Sequence, residues 1–455
     1  MATSEPNPHL KPKHVVIIGG GWAGLAAAVA LSQQASIKVN LYESARQLGG
    51  RARRVPFNKL RVDNGQHLLI GAYHDTFQLL EFLGVDLNDK FLRQTLDLNI
   101  ISPLQRQTVK LKAIRLPAPL HLMFALLTCR GFSLIERLRA MQFGARLFMH
   151  GFKFKTDISV AELMHRYKQP ARLVEKFWEP LCIAIMNTPI AQASAHIFLR
   201  VLHDCFRNHN SDSDLLYPRD DLGSLLPDPA TEFIEKQNNT INLGQRVTRL
   251  EIDKDKLYGI LIDEQMVDAD HVIIATAPHA CHKLIATHPS LQALSQQLDQ
   301  YHYQPICTIY LQYPAETTTG HHMLGMLGGH AQWLFDRAIY NQPGLMAVVI
   351  SSDGPHMQLD NEQLIAQIKK EIALLYPDWP EASDAMVIRE KRATFHCSSD
   401  INHSRPQNKT PVEGLWLAGD YTDTGYPATL EGAVRSGLQC AQQIINEIKP
   451  DNQTV

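Results

Sequence analysis

The chain has 455 residues, 45% of them hydrophobic and 20% charged, with a formal net charge of −2. That length exceeds one simple core and predicts two intimately packed domains. The near-neutral balance carries no footprint of a nucleic-acid partner, and no low-complexity tract or repeating period appears. The start, Met1 to Lys11, reads as disordered, and the chain closes on a polar tail after Pro450. Seven cysteines (Cys129, Cys182, Cys205, Cys281, Cys307, Cys397 and Cys440) are scattered without a CxxC pair. This argues against a disulfide framework or zinc site and fits a reducing compartment. His279, Cys281 and His282 lack a second half with ligand spacing, so no metal site is expected. No basic-then-apolar leader begins the chain, and Ala23 to Leu31 is too short to span a bilayer, so the expected location is the cytosol.

His14 to Ile18 is a short, continuous apolar run, the pattern of a strand buried on both faces of a parallel sheet. It runs into Gly19-Gly20-Gly21-Trp22-Ala23-Gly24, then an Ala/Leu-rich helix from Leu25 to Gln33 and a second strand, Lys38 to Tyr42, closed by Glu43. Strand, G-x-G-x-x-G, helix, strand and acid stand in the register of a dinucleotide-binding unit. Gly19 permits the tight turn, Gly21 lets the backbone approach a pyrophosphate, and Gly24 lets helix and strand pack closely. The helix start, with Trp22 and Ala23, offers unpaired N–H groups and a positive dipole end to the phosphates. Glu43 accepts hydrogen bonds from the adenosine ribose. Gly49-Gly50-Arg51 then follows a few residues after Glu43, giving a second backbone approach at Gly50 and a guanidinium for the diphosphate. That extension is typical of flavoproteins and selects FAD over NAD. Arg46 reads equally as a phosphate contact or a surface charge.

From Arg106 to Lys155 the chain carries ten basic residues and one acid, Glu136, interleaved with apolar residues at helical spacing. Such a basic amphipathic stretch binds anionic lipid surfaces, unless it is a core-packing helix pair with a solvated basic face. Helices are predicted over Val160 to Tyr167, Pro170 to Cys182 and Ala195 to Cys205, and a loop over Tyr217 to Pro229. Gln245 to Ile252 reads as a strand on which Val247 bonds the adenine through its backbone. Asp270 to Pro278 reads as a buried strand ending in the small residues Ala275-Thr276-Ala277. Strands at Ile306 to Gln312 and Leu345 to Ser351, a helix from Asn361 to Leu375 and a strand from Met386 to Thr394 follow.

Gly414 to Ala418 is another apolar strand, ending at Gly419-Asp420, and a helix begins near Thr429 and Leu430 and runs through Ile445. Asp420 at a strand end can bind a hydroxyl of the flavin's ribityl chain, or it can be a turn residue. Thr429 is a plausible helix cap, and the helix N-terminus at Thr429–Leu430 can aim its dipole at the pyrimidine end of the isoalloxazine. The predicted fold class is therefore α/β. A Rossmann-like FAD domain of the two-dinucleotide-binding-domain type comes from residues 12–75, 235–290 and 410–450. An inserted α+β substrate domain comes from 76–234 and 291–409, with the basic amphipathic region at 106–155.

These residues together resemble the amine-oxidase and phytoene-desaturase superfamily of flavoproteins, over essentially the whole chain. Asp63-Asn64-Gly65-Gln66-His67-Leu68-Leu69-Ile70-Gly71-Ala72-Tyr73, Trp333 to Arg337 and Gly425 to Gly437 are most similar to its squalene-associated group, the hydroxysqualene dehydroxylases of hopanoid synthesis. The resemblance implies a reductive reaction in which hydroxysqualene loses its hydroxyl and gains a hydride, giving squalene. Hydroxide leaves poorly, so a proton donor is needed, and an apolar pocket must shield the allylic cation. His67 is the candidate acid, with cofactor or backbone hydrogen bonding as its alternative role, and Asp63 is expected to fix the loop. A C30 isoprenoid substrate would be drawn from a bilayer, which agrees with peripheral contact between the basic stretch and an anionic membrane. A carotenoid-type desaturase shares these motifs. A lipid escort of the same fold would have no need of the intact Gly19, Gly21, Gly24, Glu43, Arg51 and Asp420 set.

Overall fold

The computed structural model describes residues 11–105 and 107–448. The expected disordered start (Lys11 apart), the polar tail and Arg106 lie outside these residues.

Five short strands form one parallel sheet in the order Thr240–Leu243, Ile37–Glu43, Lys13–Ile18, His271–Ile274, Leu415–Leu417, with Val15 to Ile18, His271–Ile274 and Leu415–Leu417 buried on both faces. Sequence neighbours are separated by crossovers because parallel strands cannot be joined by tight turns. The helix Trp22–Ser32 packs between the C-terminal helix Leu430–Ile448 and the helix Pro227–Lys236 over this sheet. An antiparallel meander, Val247–Asp253, Lys256–Ile262 and Gln265–Asp268, flanks it.

The second layer is a seven-stranded mixed sheet in the order Asp384–Phe395, Tyr303–Gln312, Leu345–Ser351, Trp333–Asp336, Met323–Met326, Asp97–Ser102, Gln107–Lys112. The helix Asn361–Leu375 covers one face, burying Leu364, Ile368 and Ile372 in a cluster with Ile309, Leu311 and Val348. Helices Leu120–Thr128, Leu134–Met149, Val160–Arg166 and Ala195–Phe206 complete the part expected to handle substrate.

Two expectations need correction. The segment Tyr217 to Pro229 is not a loop. Leu215–Pro218 is a strand between Phe91–Gln94 and Leu69–Ile70, and the helices Leu222–Leu225 and Pro227–Lys236 follow. Asp221 caps the first helix and Pro227 opens the second, so the residues read as loop formers are helix starters here. The helix expected over Pro170 to Cys182 contains one wider turn at Val174–Trp178 and continues to Met186, ending at left-handed Asn187.

Candidate functional site

All five strands of the parallel sheet end on one side, and the expected cofactor segments leave from that edge. This is where open α/β sheets bind ligands. Backbone bonds lock the edge: Gly19 N–H to Tyr42 O (2.8 Å), Ala275 N–H to Ile18 O (2.8 Å) and Ala418 N–H to Ile274 O (3.0 Å). Gly19 takes φ +111° against Ala275, and a Cβ on Gly24 would lie 2.0 Å from the Gly19 carbonyl oxygen. Gly21 differs, because a Cβ there would meet nothing closer than Gly50 Cα at 4.0 Å. Gly21 and Gly49 pair as an isolated bridge, so the two glycine segments lie side by side, and the open space over Gly21 is the gap they border. Helix Trp22–Ser32 opens onto it, with Ala23 in its first turn, no side-chain cap and no acid in that turn. Its first N–H groups therefore remain for an anion.

Glu43 ends the second strand. Its carboxylate accepts from Gly20 N–H (2.7 Å) and Ala45 N–H (2.8 Å). Gln245 N–H donates to the Glu43 carbonyl (3.0 Å), which brings the start of the next strand, buried Val247, close to Glu43. The structure pairs two residues that sequence reasoning gave to different parts of the cofactor: Arg51 Nη2 lies 2.7 Å from Asp420 Oδ2. Arg51 also donates to the Ala393 carbonyl (2.7 Å), so its guanidinium joins the two ends of the sequence to the seven-stranded sheet. Gly419 N–H donates to Ser436 Oγ at 3.0 Å. Thr429 Oγ1 accepts from Gly432 N–H at 3.1 Å and caps the helix that starts at Leu430.

His67 sits in the loop between Leu60–Asp63 and Leu69–Ile70, where a Cβ on Gly65 would lie between His67 Nε2 and Thr308 Oγ1. The loop is fastened on all sides. Tyr310 donates to the Asp63 carbonyl (2.9 Å), Leu222 N–H donates to the Asp63 carboxylate (2.8 Å), and Asn64 donates to Glu390 (3.1 Å) and to the Arg51 carbonyl (3.3 Å). Loss of solvation, then the nearby Arg337 charge, pushes the His67 imidazole down to about 4. Burial pushes the Asp63 carboxyl up to about 7 against the pull of Arg337.

Sequence reasoning missed several residues. Arg337 is fully buried, bonded to Gln66 and to Gln342 (2.7 Å), with its guanidinium 3.8 Å from the Tyr340 ring centroid and Nη2 left without a partner. It lies in the quoted Trp333 to Arg337 stretch, but nothing local gave it a role. Arg405, also buried, donates to the carbonyls of Asp420 (2.7 Å), Tyr421 (3.3 Å) and Tyr426 (2.6 Å) and to Thr424 Oγ1 (3.0 Å). It holds the turn after Asp420 in shape, and no pattern around it signalled this. Glu431, fully buried in the first turn of the last helix, accepts from Thr76 N–H (3.0 Å), Thr76 Oγ1 (2.7 Å) and Arg435 (3.1 Å).

The site fits a flavin dinucleotide. Trp22 Nε1 and Thr276 Oγ1, at the ends of adjacent strands of this edge, are buried without a partner in the chain. Buried polar atoms nearly always have partners, so these two await a ligand's polar groups, as do the glycine gap and the uncapped helix.

The family model for flavin containing amine oxidoreductase matches residues 22–445. The hydroxysqualene dehydroxylase of Zymomonas mobilis is 28% identical over 93% of this chain and 97% of its own. The 15-cis-phytoene desaturase of Narcissus pseudonarcissus is 24% identical over 98% of this chain and 81% of its own. Among solved structures, an oxidoreductase from Methanosarcina mazei superposes with a TM-score of 0.75 at 17% identity, over 95% of this chain and all of that one. With the dinucleotide edge, the glycine gap and this match in agreement, the chain belongs to the flavin-containing amine oxidoreductase family and is an FAD-dependent oxidoreductase.

Proposed function

We propose that this protein is a hydroxysqualene dehydroxylase of triterpenoid synthesis. One proton and one hydride enter, water leaves, and squalene is formed. The observation that carries this reading is the near-full-length similarity to the Zymomonas mobilis enzyme. Beside the few polar groups of the His67 loop, Leu68 and Ile70 pack against the large apolar cluster that includes Tyr310 and Phe335, surroundings that suit a hydrocarbon substrate.

Reduced FAD, when bound, supplies the hydride. Gly19, Gly21, Trp22, Ala23 and Gly24 hold its pyrophosphate, with Gly50 and Arg51 on the opposite side of the gap. Glu43 takes the ribose hydroxyls and Val247 the adenine, Gly419 and Asp420 take the ribityl chain, and Thr429 and Leu430 present the helix end to the pyrimidine. His67 contacts the departing hydroxyl. Burial holds its imidazole down to about 4, so at neutral pH only about one His67 in a thousand carries the proton that the departing hydroxyl needs, and protonation limits the step. Asp63 orders the loop through Leu222. The enzyme works in the cytoplasm, in peripheral contact with an anionic membrane that holds its substrate.

A desaturase acting on a carotenoid precursor is the second reading, favoured by the similarity to the Narcissus enzyme. Purified holoenzyme offered hydroxysqualene with a flavin reductant, and phytoene with an oxidant, separates the two. Squalene formation with no phytoene turnover is expected. Phytoene desaturation without squalene would overturn the first reading.

A further inference from the structure

Helices of water-soluble proteins bury their apolar stripe, but the helix Leu120–Thr128 turns one outward. Leu120, Met123, Phe124 and Leu127 fall at positions i, i+3, i+4 and i+7 and are all exposed. On the helix packed against it, Leu134, Ile135 and Leu138 extend the patch, Ile135 to 72% exposure. Among the described residues sixteen large apolar side chains are exposed, and eleven of them lie between Leu104 and Met149. Such concentration marks an interaction surface.

Charge identifies the partner. Between residues 107 and 156 every exposed charged side chain is basic, Arg115, Arg130, Arg139 and Arg146 among them. The one acid, Glu136, is buried, caps its helix through Ser133 and pairs with Arg172. A second copy docked face to face would oppose like charges, which disfavours a symmetric dimer through this surface. An anionic lipid surface satisfies both the apolar stripe and the basic surround. Directly beneath, Leu111, Leu126, Phe132, Leu173 and Phe177, with Arg137, line a small crevice whose apolar residues belong to the same core as Tyr310 and Phe335.

We propose that the helices Leu120–Thr128 and Leu134–Met149 form the face by which the protein lies on an anionic bilayer. What substrate that bilayer holds rests on the proposed function, whereas the docking face does not.

The test is flotation of full-length, FAD-loaded protein with phosphatidylglycerol/phosphatidylcholine vesicles and with phosphatidylcholine alone. The wild type floats with the anionic vesicles and less so at high salt. Phe124→Glu/Ile135→Glu and, separately, Arg139→Glu/Arg146→Glu each weaken partition by about tenfold or more, with flavin content and melting temperature unchanged. A wild type that ignores anionic vesicles, or a Phe124→Glu/Ile135→Glu protein that floats like the wild type, overturns the proposal. So does a dimer that these substitutions split in the absence of vesicle binding. Vesicle binding without dehydroxylation would count against the proposed reaction alone, and dehydroxylation of detergent-dispersed substrate without vesicle binding against the docking face alone.

Discussion

Gly21 is the position at which the needs of the fold and those of the cofactor separate. Its backbone (φ −77°, ψ 177°) is open to any residue, and an added Cβ meets nothing within ordinary contact distance except Gly50 Cα at 4.0 Å. Gly21→Ala therefore costs the empty protein no more than the N-cap preference, about 1 kcal/mol or less. The same methyl stands in the gap assigned to the pyrophosphate, where overpacking costs about 1–3 kcal/mol, or about 5- to 150-fold in the Kd for FAD. Gly24→Ala is the contrasting control, since its Cβ would sit 2.0 Å from the Gly19 carbonyl oxygen and damages the fold with or without cofactor. Melting of the flavin-free proteins and fluorescence titration with FAD give the two readouts. A Gly21→Ala protein that binds FAD as tightly as the wild type would refute the placement. One that melts like Gly24→Ala would show that the gap is a packing feature.

Three further outcomes follow from the geometry. The Asp63 carboxyl, raised from an ordinary 3.8 to about 7, binds its proton more tightly than the unfolded chain does, so wild-type stability falls as pH rises from about 4 through about 7. Asp63→Asn should gain about 2 kcal/mol on the wild type between pH 5 and pH 8 in urea unfolding, and parallel pH profiles would contradict the shift. Arg405→Met strands the buried carbonyls of Asp420, Tyr421 and Tyr426 and should cost about 3 kcal/mol or more, with loss of flavin; an unchanged melting temperature would remove Arg405 from the site's scaffold. His67→Ala should leave flavin bound but slow turnover, and wild-type turnover should rise as pH falls towards about 4, where the imidazolium fills. Wild-type rates in His67→Ala would sink its role as acid.

The dinucleotide edge was legible because each of its parts leaves a local trace. A strand buried on both faces must be apolar throughout, as Val15 to Ile18 are, and a backbone pressed against its neighbour must be glycine, as at Gly19 and Gly24. The cap at Thr429 was legible for the same reason. The pairing of Arg51 with Asp420 was not, because it joins residues 369 positions apart that only the closed sheet brings together. Arg337 reaches Gln66 across 271 positions, and Arg405 serves carbonyl groups, which carry no residue identity at all. The turn chemistry between Tyr217 and Pro229 was misread because Asp and Pro start helices as readily as they break chains. The outward stripe on Leu120–Thr128 has the period of a buried one, and only the fold shows which way it points.

The central claim is that this flavoenzyme reduces an allylic alcohol, and a single anaerobic turnover tests it most directly. The bound flavin is reduced, excess reductant is removed, hydroxysqualene is added, and flavin absorbance and products are followed together. Reoxidation of the flavin in step with squalene is expected, one molecule for each flavin. A flavin that stays reduced beside intact hydroxysqualene would contradict it.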